Sequence, residues 1–339
     1  MPKLRIYYEI TSACNLQCPY CFEQNYSIDH LKFEELKNFH SIVSDAVSDV
    51  VVTGGEPFLH PEIYQIIEYL SAVSPVTITT NGTLVNPERI TKMMSRFPDL
   101  NLQISMDSTI SEIMRRIRGE NTLDIINNLI EKCKDVSSQT GISVTVIKDN
   151  IDCIPELIKF AEDHNISVYF PELIPFGGLS KNWDKLMPPV EEYVNFEDKL
   201  IGLIANDNKM TVTSNKVEKI LSRYFTEKDN KIRTIKVDTK GNIIICPAAD
   251  SGCSDAVITD IRHIADLNGL LEEIDNKPVC ISANLLSSCN NCEFKHVCNG
   301  IFCGNCKYMK NDNESILKYI CKTYYHHFKN ISDIGDNYE

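Results

Sequence analysis

The sequence predicts an α/β fold, with a parallel sheet in the first half of the chain and a small cysteine-rich region in the second. Three observations carry that prediction. Strand-like and helix-like stretches alternate six times over about the first 175 residues, the pattern that right-handed β/α crossovers build. The alternation stops near Pro175-Phe176-Gly177-Gly178. Beyond it the cysteines crowd: nine of the fourteen in this 339-residue chain lie between Cys246 and Cys321. An open doubly wound sheet and a partial barrel satisfy the pattern equally, because hydrophobic periodicity does not report whether a sheet curls.

Leu4 to Ile10 is the first strand, and Asp49 to Thr53 (DVVVT) is a short buried one. Pro61 opens a helix, a place where its missing N–H costs nothing, and Ile63, Ile66, Ile67 and Leu70 form one apolar stripe along it. Val76 to Thr80 is β-branched and reads as a strand. Asn101 to Met106 and Ile142 to Ile147 are the next two. Between them Leu123, Ile126, Ile130 and Cys133 share a helix face. Ile154, Leu157, Ile158 and Ala161 share another, and Val168 to Leu173 is the sixth strand. Pro188-Pro189 then starts a helix through Ile204, and residues 205–232 are polar helix and linker. These signals divide the chain into a parallel-sheet domain 1–180, a helical linker 181–232 and a cysteine-rich domain 233–339.

Apolar residues at 43% and charged residues at 24% exclude a disordered or fibrous chain. Lys+Arg at 34 against Asp+Glu at 47 leaves a net charge of -13, which disfavours general binding of nucleic acid or anionic membrane. No stretch approaches the ~20 apolar residues that cross a bilayer. The N-terminus enters a strand directly, without an h-region or cleavage site, so the expected compartment is the cytoplasm. Thiols stay reduced there, and the cysteines then point to metal or redox chemistry.

Cys14, Cys18 and Cys21 (CNLQCPYC) form C-x3-C-x2-C in the loop after the first strand, at the sheet end where α/β active sites form. Three thiolates can hold three irons of a [4Fe–4S] cluster, leaving the fourth iron open to a substrate or cofactor. Zinc is the competing chemistry, but no fourth ligand lies nearby in sequence. The motif resembles that of the radical S-adenosylmethionine enzymes. In that family the open iron binds the amino and carboxylate groups of S-adenosylmethionine. Its reductive cleavage yields a 5′-deoxyadenosyl radical, which abstracts a substrate hydrogen.

Further motifs follow in the family's order. The resemblance places Tyr20 by the adenine. Gly54-Gly55-Glu56-Pro57 follows the second strand: side-chain-free glycines let backbone approach a ligand, and Glu56 or that backbone would accept from the cofactor ammonium. Asn81 lies in a segment like the family's TNG, which is equally an ordinary Asn-Gly turn. Ser105 and Asp107 resemble an S-x-D pair suited to ribose hydroxyls, and Arg118-Gly119 an arginine that pairs with the cofactor carboxylate. The Ser105–Arg118 spacing is one residue longer than in the family, so Arg115 and Arg116 compete for that role. Leu173 in ELIPFG matches an aliphatic residue that packs on adenine, and is also a strand end suited to the core. The resemblance covers residues 4 to about 178 and selects the partial (β/α)6 barrel over the open sheet.

The segment SSCNNCEFKHVCNG, followed by YICKTYYHHF, resembles the SPASM domain that follows some radical S-adenosylmethionine barrels. Gly241 to Cys246 (GNIIIC), at the end of a predicted hairpin, matches that domain's opening. By position Cys289, Cys292, Cys298 and Cys321 would hold one auxiliary [4Fe–4S] cluster. A second auxiliary cluster departs from the pattern. No cysteine lies between Cys153 and Cys246, and Cys298 and Cys303 are separated by x4 where the family has x3. Either that cluster is missing, or it keeps an open iron, or Cys253 and Cys306 join Cys246 and Cys303; the reading favours a cluster there. A zinc knuckle is the competing reading of the region. Cys133, Cys153 and Cys280 read as structural, and His296, His326 and His327 as surface or capping residues. Tyr324, Tyr325 and Phe328 are expected to pack the last helix.

The resemblance implies a ribosomally made precursor peptide as substrate, oxidised or crosslinked as in peptide maturases. It also implies a flavodoxin- or ferredoxin-type electron donor. Pro247 stands where sulfatase maturases carry an Asp base, which argues against formylglycine formation. The barrel begins at residue 4, so a peptide-recognition module would come from a separate protein, or the substrate is short or small. The alternative substrate is a small polar metabolite such as an aminosugar, dehydrogenated or epimerised. A non-enzymatic metal-binding module is disfavoured by the joint presence of the triad, GGEP, S-x-D and Arg-Gly.

Overall fold

The computed structural model describes residues 3–21, 28–175, 177–206, 211–218, 232–245, 256–276, 289, 291–298 and 314–335. Seven strands lie side by side in chain order and parallel: β1 (Lys3–Glu9), β2 (Val47–Thr53), β3 (Val76–Thr80), β4 (Leu100–Ser105), β5 (Thr140–Ser143), β6 (Ser167–Phe170) and β7 (Val212–Ser214). On the other side of β1, β8 (Ile232–Val237) adds in parallel, and β9 (Asn242–Ile244) and β10 (Val257–Asp260) continue antiparallel. Among the described residues the sheet has ten strands with β10 and β7 at its two edges, so the partial barrel does not close there.

The crossovers are α1 (Phe33–Val43), α2 (Ile63–Ser71), α3 (Pro87–Arg96), α4 (Ser111–Arg118), α5 (Thr122–Lys132) and α6 (Ile154–Asp163). Between β6 and β7 run α7 (Gly177–Lys181), α8 (Trp183–Leu186) and α9 (Val190–Asn206). Two periodicities meet in the core. Alternate strand residues, among them Leu4, Ile6, Tyr8, Val50, Val52, Ile78, Leu102 and Ile104, are buried with Leu36, Phe39, Ile66, Ile67 and Leu70 of the helices. Each such side chain contributes about 1.5–3 kcal/mol on burial. The intervening residues, including Tyr7, Glu9, Thr79, Gln103, Ser105 and Tyr169, are half-buried and make the opposite, polar face of the sheet. One polar chain sits inside the core: Tyr8 Oη and Ser74 Oγ each lie 3.1 Å from a ring nitrogen of His40. Burial brings the His40 imidazole down to about 4, so it stays neutral.

The structure departs from the sequence reading at two strand ends and in one connection. Strand five stops at Ser143, not Ile147. Thr145 N donates to Asp107 Oδ1 and Ile147 N to Asn150 Oδ1, so side chains replace the ladder partners there. Strand six stops at Phe170, ahead of Pro171, which has no N–H for a ladder. The stretch read as a helical linker contains β7, which pairs with β6, and β8 carries the same sheet onward beside β1. The predicted hairpin is present: Asp238 Oδ1 accepts from Lys240 N and Asn242 N, and Gly241 turns it with φ of 87°. Among the described residues no helix is long and apolar enough to cross a membrane.

Candidate functional site

The loop after β1 carries Cys14, exposed, and Cys18 and Cys21, half-buried; none of the three is in a disulfide. Backbone bonds clamp this loop to the end of β2. Gly55 N donates to Thr11 O and Glu56 N to Ala13 O, each at 2.7 Å. A Cβ on Gly54 would lie 2.3 Å from Thr11 O, and one on Gly55 2.3 Å from Ala13 O. One close approach that these glycines permit is that of the triad loop itself.

Glu56 is fully buried. Its Oε1 accepts from Thr80 Oγ1 (2.7 Å) and Phe58 N (3.1 Å), and its Oε2 from Asn81 N (2.7 Å). Burial pushes this carboxyl above the usual carboxylate range, against the pull of those donors. Glu56 thus joins the ends of β2 and β3, and its side chain is not the free acceptor for an ammonium that the sequence suggested. Asn81 extends the joint: its Nδ2 donates to Asn15 Oδ1 at 2.9 Å, and Asn15 Nδ2 donates to Thr83 Oγ1 at 2.9 Å.

The second clamp comes from β4 and α4. Asp107, fully buried, accepts at Oδ2 from Arg118 Nε (2.7 Å) and Tyr20 Oη (2.5 Å). Arg118 Nη2 donates to Tyr20 Oη at 2.6 Å, and Nη1 lies 3.9 Å from Cys18 Sγ. Burial alone would favour the neutral guanidinium, but Asp107 and then Tyr20 outweigh it and hold Arg118 charged. The three-way choice of arginine resolves here. Arg115 pairs with Glu112 and Glu120, and Arg116 with Asp149, at the surface, while Arg118 alone of the three reaches the triad. Asp107, expected to meet ribose hydroxyls, instead anchors Arg118 and Tyr20. From the far side α7 and α8 close on the loop: Gly178 N donates to Cys21 O (2.8 Å), and Asn182 Nδ2 to Pro19 O (3.2 Å).

Ser105 ends β4 on the polar face, in register with Ser143. Leu173 lines a small cleft with Trp183, Met187, Tyr193 and Tyr324, and no described contact brings it to the triad loop. Cys133 is buried, as expected of a structural thiol, and its thiol is pushed up to about 11 by burial.

Cys289, Cys292, Cys298 and Cys321 all pack against the edge of the core, Cys321 on the C-terminal helix Glu314–Gly335. Burial first, then the nearby Cys289, Cys298 and Cys292, push the Cys321 thiol up to about 11. Cys246, Cys253, Cys303 and Cys306 lie outside the described residues, as do Pro247 and Cys280.

Sequence reasoning missed a buried ion network behind this second set. Lys216 Nζ donates to Glu197 Oε1 (2.6 Å) and to Thr323 Oγ1 (2.8 Å), and His327 Nε2 lies 2.9 Å from Glu197 Oε2. His327, read as a surface or capping residue, is 1% exposed. A signal existed: Glu197 falls on the buried stripe of Tyr193, Val194 and Leu200 in α9, where an unpartnered carboxylate is too costly to occur.

Known proteins share these features. Mycofactocin maturase MftC of Mycolicibacterium smegmatis is 27% identical over 200 residues, 58% of this chain and 51% of that protein. A GTP 3′,8-cyclase of Lactiplantibacillus plantarum is 27% identical over 203 residues, 56% of this chain and 58% of that protein. The chain thus spans about half the length of these curated relatives. Among solved structures, anSMEcpe with bound AdoMet superposes with a TM-score of 0.73 at 18% identity, covering 99% of this chain and 100% of that one. Streptococcus suis SuiB bound to S-adenosylmethionine superposes with a TM-score of 0.70 at 16% identity, covering 88% and 72%. These two show a shared fold. Residues 8–161 match the Radical SAM superfamily model, and that stretch is a radical SAM domain.

Proposed function

We propose that this chain is a radical S-adenosylmethionine enzyme that oxidatively modifies a ribosomally made peptide. One observation carries the reading: three cysteines outside any disulfide on a loop clamped by four strand ends, with the charged Arg118 3.9 Å from Cys18 Sγ. Burial raises the Cys18 thiol, and Arg118 works against that rise, toward the thiolate that binds iron. Cys14, Cys18 and Cys21 would hold three irons of a [4Fe–4S] cluster, and the fourth would take S-adenosylmethionine. Bound together, cluster and cofactor supply a hydrogen-abstracting 5′-deoxyadenosyl radical on reduction. Tyr20 and the half-exposed Gly54–Gly55 backbone border this position, and Arg118 offers it positive charge. Cys289, Cys292, Cys298 and Cys321 would hold an auxiliary cluster able to accept the product's electron, and residues 233–339 would form its domain. A flavodoxin- or ferredoxin-type protein would deliver the first electron.

Support for a peptide comes from the relative named a maturase and from fold neighbours solved with bound peptides, SuiA on SuiB and Cp18Cys on anSMEcpe. The GTP 3′,8-cyclase relatives support a second reading, a small polar substrate. The test begins with anaerobic reconstitution of the wild type and of a Cys14/Cys18/Cys21→Ala triple variant. About twelve irons per chain falling to about eight is expected for three clusters, and about eight falling to about four for two. 5′-Deoxyadenosine should form in the wild type and not in the variant. Retained cleavage in the variant overturns the site. Turnover with a nucleotide or aminosugar, and none with precursor peptides, overturns the peptide.

A further inference from the structure

His326 and His327 follow Cys321 on the C-terminal helix and meet Asp198 of α9 across the seam between the two helices. One ligand atom from each of the three lies within 4.8 Å of the others. The decisive atom is His327 Nδ1. The residue is 1% exposed, and its Nε2 sits 2.9 Å from Glu197 Oε2, a carboxylate already held by Lys216. Nε2 therefore carries the proton, and Nδ1 presents a lone pair. That lone pair lies 3.4 Å from Asp198 Oδ1 and has no hydrogen-bond partner. In that neutral tautomer the lone pair faces a carboxylate oxygen, which is repulsive unless a cation, proton or metal, lies between them.

His326 adds a second strained contact. Its Nε2 is 2.9 Å from Asp198 Oδ2 and 2.8 Å from Asn330 Nδ2. One nitrogen cannot donate to the first and accept from the second at once. A cation would take that lone pair and leave the exposed Asn330 amide free to turn to water. Ligand atoms about 3–3.5 Å apart are what zinc bonds of roughly 2.0–2.2 Å impose in a tetrahedron. The hydrogen bond from His327 to Glu197 is the outer-shell carboxylate–histidine contact that metal sites use to fix a ligand's tautomer. The Asp198 and His326 side chains are 40% and 36% exposed, so an ion can enter from solvent.

We propose that Asp198, His326 and His327 form a mononuclear site for a divalent transition metal, with zinc the ion that two imidazoles and a carboxylate suit. Water completes the coordination. The ion pins α9 to the helix that carries Cys321, and the site stands apart from both cysteine sets.

Zinc K-edge X-ray absorption on the cluster-loaded protein, dialysed after incubation with zinc alone, tests this without interference from iron. The expected result is about one zinc per chain, with a nitrogen–oxygen shell near ~2.0–2.1 Å. Asp198→Ala and His326→Ala, at half-exposed positions, should each lose that zinc and keep the wild-type iron content. A sulfur shell near ~2.3 Å would place the zinc on cysteines and overturn the proposal. So would no retained zinc, or unchanged zinc in both variants. The wild-type spectrum decides the ligand chemistry by itself, so the test does not depend on a variant folding.

Discussion

The two cysteine sets are held by opposite means. Cys14, Cys18 and Cys21 lie within eight consecutive residues, and backbone bonds from β2 fix the loop that carries them. Cys321 is carried toward Cys289, Cys292 and Cys298 by a long helix, whose docked face joins apolar residues such as Ile320, Tyr324 and Phe328 to buried side-chain charges. Backbone clamps tolerate most side-chain replacements outside the glycines. A charge network fails when one member goes, because the remaining charge stays buried alone.

Asp107→Asn should break this contrast hardest, on the first set's own side. It strips the one carboxylate that pairs with buried Arg118 among the described residues, and a loss of about 3–5 kcal/mol is expected in urea denaturation of the apo-protein. S-adenosylmethionine cleavage should fall with it, while iron on the second set stays. Lys216→Met should do the reverse. Glu197 keeps His327 as a partner, so the expected cost is smaller, about 2–3 kcal/mol. In that variant roughly four irons should be lost while those at Cys14, Cys18 and Cys21 remain. Equal loss from both sets in either variant would erase the distinction.

The smallest effect sharpens the comparison by showing where the barrel side does depend on a titrating group. The folded His40 imidazole titrates at about 4, below its ordinary 6.5, so the unfolded chain binds the extra proton between those values. Stability is then full above about pH 6.5 and falls as the pH drops toward 4. Between pH 7 and pH 5.5 the loss should be about 1 kcal/mol, and His40→Gln should flatten that slope in paired urea titrations.

The triad and the glycines of GGEP were legible because each is a short run at a strand end, and local spacing carries such information. The Tyr20–Asp107–Arg118 joint was only half legible. Its residues could be singled out, but not that they bind one another across 87 and 98 positions of chain. Lys216 sits in a polar stretch that reads as linker, and nothing local marks it as the partner of Glu197 and Thr323. β7 has three residues, too few for a period to emerge. Thr145 to Ile147 shows the converse: a strand-like composition in which the Thr145 and Ile147 amides donate to side chains.

The pairing of β8 with β1 has an engineering consequence. Six consecutive partners, Lys3↔Ile232 through Tyr8↔Val237, bind the later region to the strand that leads into the triad. Cutting the chain at the seam its composition suggests would not release a tidy barrel. It would turn a seven-residue interior strand into a raw edge, a ready template for one molecule to zip onto the next. Any minimal version of the enzyme would have to carry β8 along, or blunt the exposed flank of β1 with charge.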